Sequence, residues 1–140
     1  MMRAVLDVNV IISALLSPEG SPATVLRAWL DGAYELVVSP QLLAELERAL
    51  SYPKLRKRIS TTEGANLIDL IRRGARLLDD PEDPPSDLRS PDPGDNYIIA
   101  LAASVPAVIV SGDDHLLGLA EHLPVYSPAA FLDFLSQGRS

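Results

Sequence analysis

Several features that would assign a protein to a familiar class are missing from this chain of 140 residues. It has no cysteine, which excludes disulfides and thiolate metal sites and removes any reason to expect export. No apolar stretch approaches the roughly 18 residues that a membrane-spanning helix needs, and no signal peptide is recognisable. A glycine-rich phosphate-binding loop is also lacking. We therefore expect a cytoplasmic protein without membrane association.

The chain also lacks an excess of positive charge. Its 12 Lys and Arg residues against 19 Asp and Glu residues give a formal net charge of −7. That balance argues against broad nonspecific adhesion to nucleic acid, but it does not exclude nucleic acid as a substrate. One basic segment, residues 54–58, is either a solvated helical face or a rim that contacts phosphates. Its candidate phosphate contacts are Lys54, Arg56 and Lys57.

The hydrophobic content of 47% and the length indicate one globular domain over residues 1–140. Apolar runs at 3–8, 34–38, 75–78, 107–111 and 125–126 predict strands, and the segments between most of them predict helices. Ser-Pro pairs at 21–22, 39–40 and 127–128 predict capped helix starts, Thr61 or Thr62 is expected to cap another helix, and residues 79–94 predict an irregular loop. Strands joined through helices imply right-handed crossovers. We predict an α/β fold, a three-layer α/β/α sandwich with a central, mostly parallel sheet of about four to five strands.

Four acidic residues adjoin apolar elements, where carboxylates are rarely stable unless they are paired or bind metal. Asp7 interrupts the first apolar run, and Glu45 lies inside the helix after the second strand. Asp95 opens an apolar helix, and Asp113 ends the apolar run at 107–112. Because sites in such sheets lie beyond the carboxyl ends of the strands, the predicted topology allows all four to converge.

Convergence of these carboxylates has a chemical implication. Two like charges about 4 Å apart repel by about 4 kcal/mol at an effective dielectric constant near 20. Protonation or divalent cations would relieve that repulsion, and all-oxygen ligation suits Mg²⁺ or Mn²⁺. Such a metal can activate water and stabilise charge during displacement at phosphorus. The set therefore predicts metal-assisted phosphodiester hydrolysis.

Each of these residues also has a purely structural interpretation. Asp7, Asp95 and Asp113 could be helix N-caps, and Glu45 could be an exposed helix residue. Asn9 and Ser111 could orient carboxylates or waters, or they could be turn and cap residues. Other acidic and histidine residues nearby are expected to be bystanders on the surface or in turns: Glu47, Asp92, Asp114, His115 and His122.

Taken together, the acidic segments resemble the PIN-domain ribonucleases, in particular the VapC-like toxin components of bacterial and archaeal toxin–antitoxin pairs. The similarity covers about residues 2–135 and is carried by four ordered segments, at 5–10, 39–46, 92–102 and 110–113. No single motif is specific, whereas the ordered set at these spacings is. The chain departs from the commonest pattern at His115, where many relatives have a second acidic residue, and at Asn96, where several have Asp.

The resemblance implies an α/β/α sandwich, cleavage of single-stranded or structured RNA, and dependence on Mg²⁺ or Mn²⁺. It assigns metal ligation, and with it catalysis, to Asp7, Glu45, Asp95 and Asp113. It also implies a homodimer and a cognate antitoxin that blocks the site.

Other functions stay open at this point. A haloacid-dehalogenase-like phosphatase also places a nucleophilic Asp after the first strand, but it needs a second acid two residues later, where this chain has Asn9. A receiver domain needs an acidic pair near the first strand and a Lys after the last one, and no Lys follows Lys57. A degenerate PIN domain that only binds RNA is the third alternative, and the retained carboxylates argue against it.

Overall fold

The fold is described from a computed structural model, for residues 1–82 and 93–137. A parallel sheet of five strands in the order β3-β2-β1-β4-β5 is flanked by helices, which gives the expected three-layer α/β/α arrangement. The strands are β1 (Arg3–Leu6), β2 (Glu35–Val38), β3 (Arg76–Leu77), β4 (Val108–Val110) and β5 (Val125–Tyr126). The helices are α1 (Val8–Leu16), α2 (Ser21–Leu30), α3 (Pro40–Leu50), α4 (Pro53–Arg56), α5 (Thr61–Gly74), α6 (Asn96–Ser104), α7 (Asp114–Leu117) and α8 (Pro128–Gln137).

The central position of β1 explains its continuous apolar sequence. It pairs with β2 through Arg3↔Glu35 and Ala4↔Leu36, and with β4 through a register that sets Leu6 beside Val110. A parallel strand covered by helices on both faces buries every side chain, and residues 4–6 are each at most 1% exposed. The two edge strands, β3 and β5, are only two residues long, which limits the unpaired backbone that the sheet exposes.

Two of the predicted helix caps are confirmed by hydrogen bonds. The Ser39 hydroxyl accepts from the backbone N–H of Leu42 at 3.2 Å, at the start of α3. The Ser127 hydroxyl accepts from the N–H of Ala130 at 3.1 Å, at the start of α8. Each satisfies a backbone donor that the first turn of a helix leaves unpaired.

The other two predicted caps are wrong. Helix α2 begins at Ser21 itself, since the carbonyl of Gly20 already accepts from the N–H of Thr24 at 3.2 Å, and Gly20 provides no side-chain cap. Helix α5 begins at Thr61, and its cap is Ser60, whose hydroxyl accepts from the N–H of Glu63 at 3.0 Å. In both places the helix starts one residue earlier than the sequence pattern indicates.

Boundaries elsewhere differ by a few residues. Strand β1 ends at Leu6 because Asp7 already caps α1, and β2 begins at Glu35 because Tyr34 turns inward and donates its hydroxyl to the carbonyl of Val25 at 2.8 Å. The predicted helix near 114–121 ends at Leu117. Most of the predicted loop at 79–94, including Asp92, lies outside the described residues.

No helix within residues 1–82 and 93–137 combines the length and the hydropathy that crossing a bilayer would require.

Candidate functional site

A cleft of about 310 Å³ lies where β1 and β4 end and where the α6 helix begins. All four acidic residues selected from the sequence line this cleft, which brings together side chains from four separate segments of the chain. Its polar and aromatic lining consists of Asp7, Asn9, Glu45, Arg48, Tyr52, Asp95, Tyr97 and Asp113.

Asp7 is held at the junction of the two central strands. Its backbone N–H donates to the carbonyl of Val110 at 2.9 Å, and its side chain is 5% exposed. Oδ2 accepts from the hydroxyl of Ser111 at 2.8 Å, while Oδ1 accepts a longer bond, 3.5 Å, from the N–H of Asn9. Burial raises the pKa of Asp7 above its usual value, the two hydrogen bonds oppose that rise, and the charge of Asp113 adds to it.

Ser111 joins two of the carboxylate-bearing segments. It is fully buried, and its hydroxyl donates to Asp7 while accepting from the backbone N–H of Asp113 at 2.9 Å. Asp113 in turn caps α7, because its Oδ1 accepts from the N–H of His115 at 2.7 Å. The capping interpretations of Asp7 and Asp113 are therefore correct, and both caps also face the cleft. Asn9 contacts Asp7 through its backbone, and its side chain is exposed.

Asp95, Asp113 and His115 form the tightest group of possible metal ligands in the described part of the chain. Asp95 is 9% exposed and ends a 3₁₀ turn (Pro93–Asp95) that leads directly into α6. One ligand atom from each of the three residues lies within 4.8 Å of the others, and His115 Nδ1 is 3.3 Å from Asp113 Oδ1. His115 is exposed, as expected from the sequence, but it also offers a nitrogen donor that sequence reasoning missed. The sequence feature that could have indicated this role is the position of His115, two residues after the capping Asp113 and in the first turn of α7.

Glu45 lies one turn before a basic residue on the same face of α3. Its Oε2 accepts from Arg48 Nη2, and the side chain of Arg48, which also lines the cleft, is 65% exposed. Glu47 is exposed and pairs with Arg72 at 3.0 Å, away from the cleft lining, which agrees with its assignment as a bystander. Asp114 and His122 are exposed as well. Arg48 was not selected from the sequence, because an i,i+3 ion pair on an exposed face is common on helices.

Two further groups affect the electrostatics of the cleft. Burial raises the pKa of the Tyr97 hydroxyl well above its usual value, and the charges of Asp7, Glu45, Asp95 and Asp80 raise it further. A phenol is protonated at neutral pH even without this rise, so Tyr97 is a neutral hydrogen-bond donor in the lining of an acidic cleft. Asp80 Oδ2 accepts from the N–H of Gln41 at 2.9 Å, which ties residue 80 to the first turn of α3.

The predicted basic contacts lie next to the cleft but do not line it. Lys54, Arg56 and Lys57 are exposed on and just after α4, and Arg56 donates to the hydroxyl of Thr61 at 3.0 Å. Tyr52, which immediately precedes α4, does line the cleft. The basic segment therefore follows a cleft residue in the sequence, and Arg56 lines a different cavity.

The donor set fits a hard divalent cation. Within residues 1–82 and 93–137, no cationic side chain pairs with Asp7, and burial works against its ionised form. Carboxylate oxygens suit Mg²⁺ and Mn²⁺, and a nearby imidazole is compatible with Mn²⁺ in particular. Bound positive charge would offset the repulsion among carboxylates that share this cleft.

The sequence of the chain is similar to a known domain family over most of its length. The sequence profile of the PIN domain matches residues 3–115. The uncharacterized protein MJ1680 of Methanocaldococcus jannaschii is 28% identical to this chain over 142 aligned positions, which cover 94% of this chain and 90% of that protein.

Solved structures share the fold at lower sequence identity. PAE2754 from Pyrobaculum aerophilum superposes with a TM-score of 0.64 at 19% identity, covering 97% of this chain and 96% of its own. VapBC2 from Rickettsia felis, solved bound to a DNA fragment from its promoter, gives 0.62 at 16% identity over 90% of this chain and 98% of its own. FitAcB from Neisseria gonorrhoeae superposes with a TM-score of 0.55 at 22% identity, covering 90% of this chain and 98% of its own.

Proposed function

Because the chain belongs to the PIN domain family, we propose that it is a metal-dependent endoribonuclease and the toxin of a toxin–antitoxin pair. One observation carries this proposal: Asp7, Glu45, Asp95 and Asp113, from four segments of the chain, line a single cleft. Carboxylates that share one cleft repel one another unless positive charge offsets the repulsion, and phosphodiester hydrolysis is the chemistry that divalent cations at such a cleft serve. The proposed nuclease is one domain formed by residues 1–140.

In this proposal the four carboxylates would hold Mg²⁺ or Mn²⁺, and the bound ion would supply an activated water and positive charge beside the phosphate. Two donors position the carboxylate of Asp7, the hydroxyl of Ser111 and the backbone N–H of Asn9. Ser111 also fixes the position of Asp113 through the backbone, so one hydroxyl maintains the spacing of two ligands. Tyr97 lines the same cleft and contributes a neutral hydrogen-bond donor for an oxygen of the substrate.

His115 distinguishes between the two metals. Its ring nitrogen belongs to the same group of ligand atoms as Asp95 and Asp113. Nitrogen ligands favour transition metals over Mg²⁺, which prefers oxygen and retains its waters. We therefore expect faster cleavage with Mn²⁺ than with Mg²⁺ at equal concentration.

The partners proposed for this protein are RNA, a cognate antitoxin and a second copy of the chain. The antitoxin and the homodimer rest on the resemblance to VapC-like toxins and on structural similarity to VapBC2 and FitAcB, which extends over 90% of this chain in both cases. A short antitoxin-like reading frame beside the gene would support the pairing. Light scattering on the purified protein measures whether it dimerises.

The decisive experiment is a cleavage assay on a mixed RNA pool with Mg²⁺, Mn²⁺ or EDTA. Wild-type protein is expected to cleave with either metal and to be inactive in EDTA. Asp95→Asn removes one proposed ligand and is expected to abolish cleavage without unfolding the protein, as followed by circular dichroism. Asp114→Asn is the matched control, since it removes the same charge from an exposed residue outside the cleft lining and should cleave as wild type does.

Three results would contradict the proposal. If Asp95→Asn cleaves as fast as wild type in Mn²⁺, the assignment of the site is wrong. If wild-type protein cleaves no RNA but hydrolyses p-nitrophenyl phosphate, the phosphatase alternative replaces the ribonuclease. A protein that binds RNA and hydrolyses neither substrate would be the degenerate form.

A further inference from the structure

Tyr52 stands apart from the other aromatic residues of the chain. The sequence has one Trp, four Tyr and two Phe residues, and all of them lie in the described segments. Trp29, Tyr34 and Phe131 are buried, and the ring of Tyr126 packs on that of Phe134 with centroids 5.1 Å apart. Tyr52 is 52% exposed, the only aromatic side chain with most of its surface accessible, and it lines the acidic cleft.

The backbone holds Tyr52 in a fixed turn between two helices. Its N–H donates to the carbonyl of Ala49 at 3.2 Å, and its own carbonyl accepts from the N–H groups of Leu55 and Arg56, both at 3.0 Å. Pro53 follows directly and opens α4. A ring on such a constrained turn loses little backbone freedom when it contacts a ligand.

Arg48 lies between this ring and Glu45, one of the proposed catalytic carboxylates, along the chain. Glu45, Arg48 and Tyr52 follow one another at i, i+3 and i+7, so they occupy successive turns on one side of α3 and the turn that continues it. All three line the cleft. Arg48 is the one cationic side chain among the described lining residues, and it is mostly exposed.

This arrangement addresses a difficulty that the ribonuclease proposal creates. A cleft lined by four carboxylates repels the phosphates of its substrate, so affinity must also come from contacts that do not depend on attraction between charges. An aromatic ring provides such a contact, because every nucleobase has a face that can stack on it. Bases inside a duplex are already stacked on their neighbours and are not available.

We propose that Tyr52 and Arg48 form a nucleotide subsite, in which Tyr52 stacks on one unpaired base and Arg48 binds the adjacent phosphate. The subsite deepens and rests on the proposed ribonuclease function, and it specifies single-stranded RNA as the substrate class. It requires no metal ion, because neither side chain is a proposed ligand.

The test measures binding of a labelled short RNA by fluorescence anisotropy in EDTA, where the proposed cleavage does not occur. Tyr52→Leu keeps an apolar side chain but removes the aromatic face, and we expect binding about 5- to 150-fold weaker. Tyr52→Phe keeps the ring and should bind within about 2-fold of wild type. A duplex of the same sequence should not distinguish Tyr52→Leu from wild type.

A thermodynamic cycle assigns the contact to a base. Single abasic sites are moved along the RNA, and at one position the loss of the base should weaken wild-type binding by about the factor seen for Tyr52→Leu. At that position the Tyr52→Leu variant should bind the abasic RNA at least as tightly as it binds the intact RNA. A purely structural effect of Tyr52 would leave the cost of the abasic site unchanged in the variant.

Arg48→Gln tests the phosphate contact. It should reduce the slope of log K against log salt by about 0.7, the value for one phosphate contact on a single strand. Arg73→Gln is the matched control, because Arg73 is also exposed and is paired with a carboxylate on its own helix, Asp69, at 2.9 Å. It removes the same charge and should leave the slope unchanged.

The outcomes separate the subsite from the proposed function. If Tyr52→Leu binds as wild type does, if no abasic position shows the coupling, or if wild-type protein binds no RNA in EDTA, the subsite is refuted. Cleavage in Mn²⁺ is measured separately: cleavage without the coupling leaves the ribonuclease proposal standing alone. Coupling without cleavage keeps the subsite and refutes hydrolysis.

Discussion

Replacing Ser111 with Ala should be unusually destabilising for the loss of one hydroxyl group. Ser111 is fully buried, donates to Asp7 at 2.8 Å and accepts from the N–H of Asp113 at 2.9 Å. A hydrogen bond to a charged group contributes about 1.5–3 kcal/mol, and one between neutral groups about 0.5–1.5 kcal/mol. The expected loss in the free energy of unfolding is therefore about 2–4 kcal/mol at pH 7.

Ser39→Ala provides the matched control. Ser39 is equally buried and caps α3 with a single bond, 3.2 Å from the N–H of Leu42, so its loss should cost about 1 kcal/mol. With an unfolding entropy of about 2.1 cal/mol/K per residue, the midpoint should fall by about 7–14 °C for Ser111→Ala and by about 3 °C for Ser39→Ala. Calorimetry in EDTA measures both.

The two serines should also differ in their dependence on pH. The bond from Ser111 lowers the pKa of Asp7, so removing it raises the pKa of the folded carboxyl further above the usual 3.8. Between the folded pKa of wild type and the higher folded pKa of the variant, the folded variant keeps a proton that folded wild type has lost, so the stability of the variant falls relative to wild type as the pH rises through that window. The difference between Ser111→Ala and wild type should therefore shrink on acidification, whereas the difference for Ser39→Ala should not. If Ser111→Ala and Ser39→Ala lost the same stability at pH 7 and showed the same pH dependence, the idea that Ser111 stabilises an ionised Asp7 would be refuted.

Two further predictions concern charge. Asp7→Asn removes a buried anion and should raise the melting temperature in EDTA. Addition of Mg²⁺ or Mn²⁺ should raise the melting temperature of wild type more than it raises the melting temperature of the variant. A variant that is less stable than wild type in EDTA would contradict the clustered carboxylates. The double variant Arg56→Ala, Lys57→Ala should weaken RNA binding and reduce the slope of log K against log salt by up to about 1.4, measured by anisotropy over a salt series. Unchanged binding would make this segment an ordinary solvated face.

The sheet and the convergence of the acidic residues could be predicted because both follow from general rules. Continuous apolar runs such as residues 4–6 are typical of buried parallel strands, and the carboxyl ends of such strands meet at one edge. Asp7 and Asp113 each follow a strand, so their proximity required only the topology. The spacing of Ser111 from both of them follows from the pairing of Leu6 with Val110.

The contacts that could not be predicted depend on packing or on choices between equivalent residues. Any of the three hydroxyl residues at 60–62 could cap α5, and the choice of Ser60 accompanies burial of Leu67 and Ile71 on one face of that helix. The contact of Asp80 with Gln41 spans 39 positions and follows the short edge strand β3, so no local sequence pattern indicates it. Tyr97 is in an apolar helix, where the sequence does not distinguish a core residue from a cleft residue.

The bond between Ser111 and Asp7 also determines when the proposed cleft can exist during synthesis. The two residues are 104 positions apart, and Asp113 follows two residues later. At about 5–20 residues per second, a ribosome needs about 5–20 s to proceed from the first carboxylate to the last. During that time the nascent chain carries Asp7 without β4 beside it, so it has no assembled cleft. A ribonuclease built in this way would stay inactive toward its own messenger RNA until most of the chain had been translated.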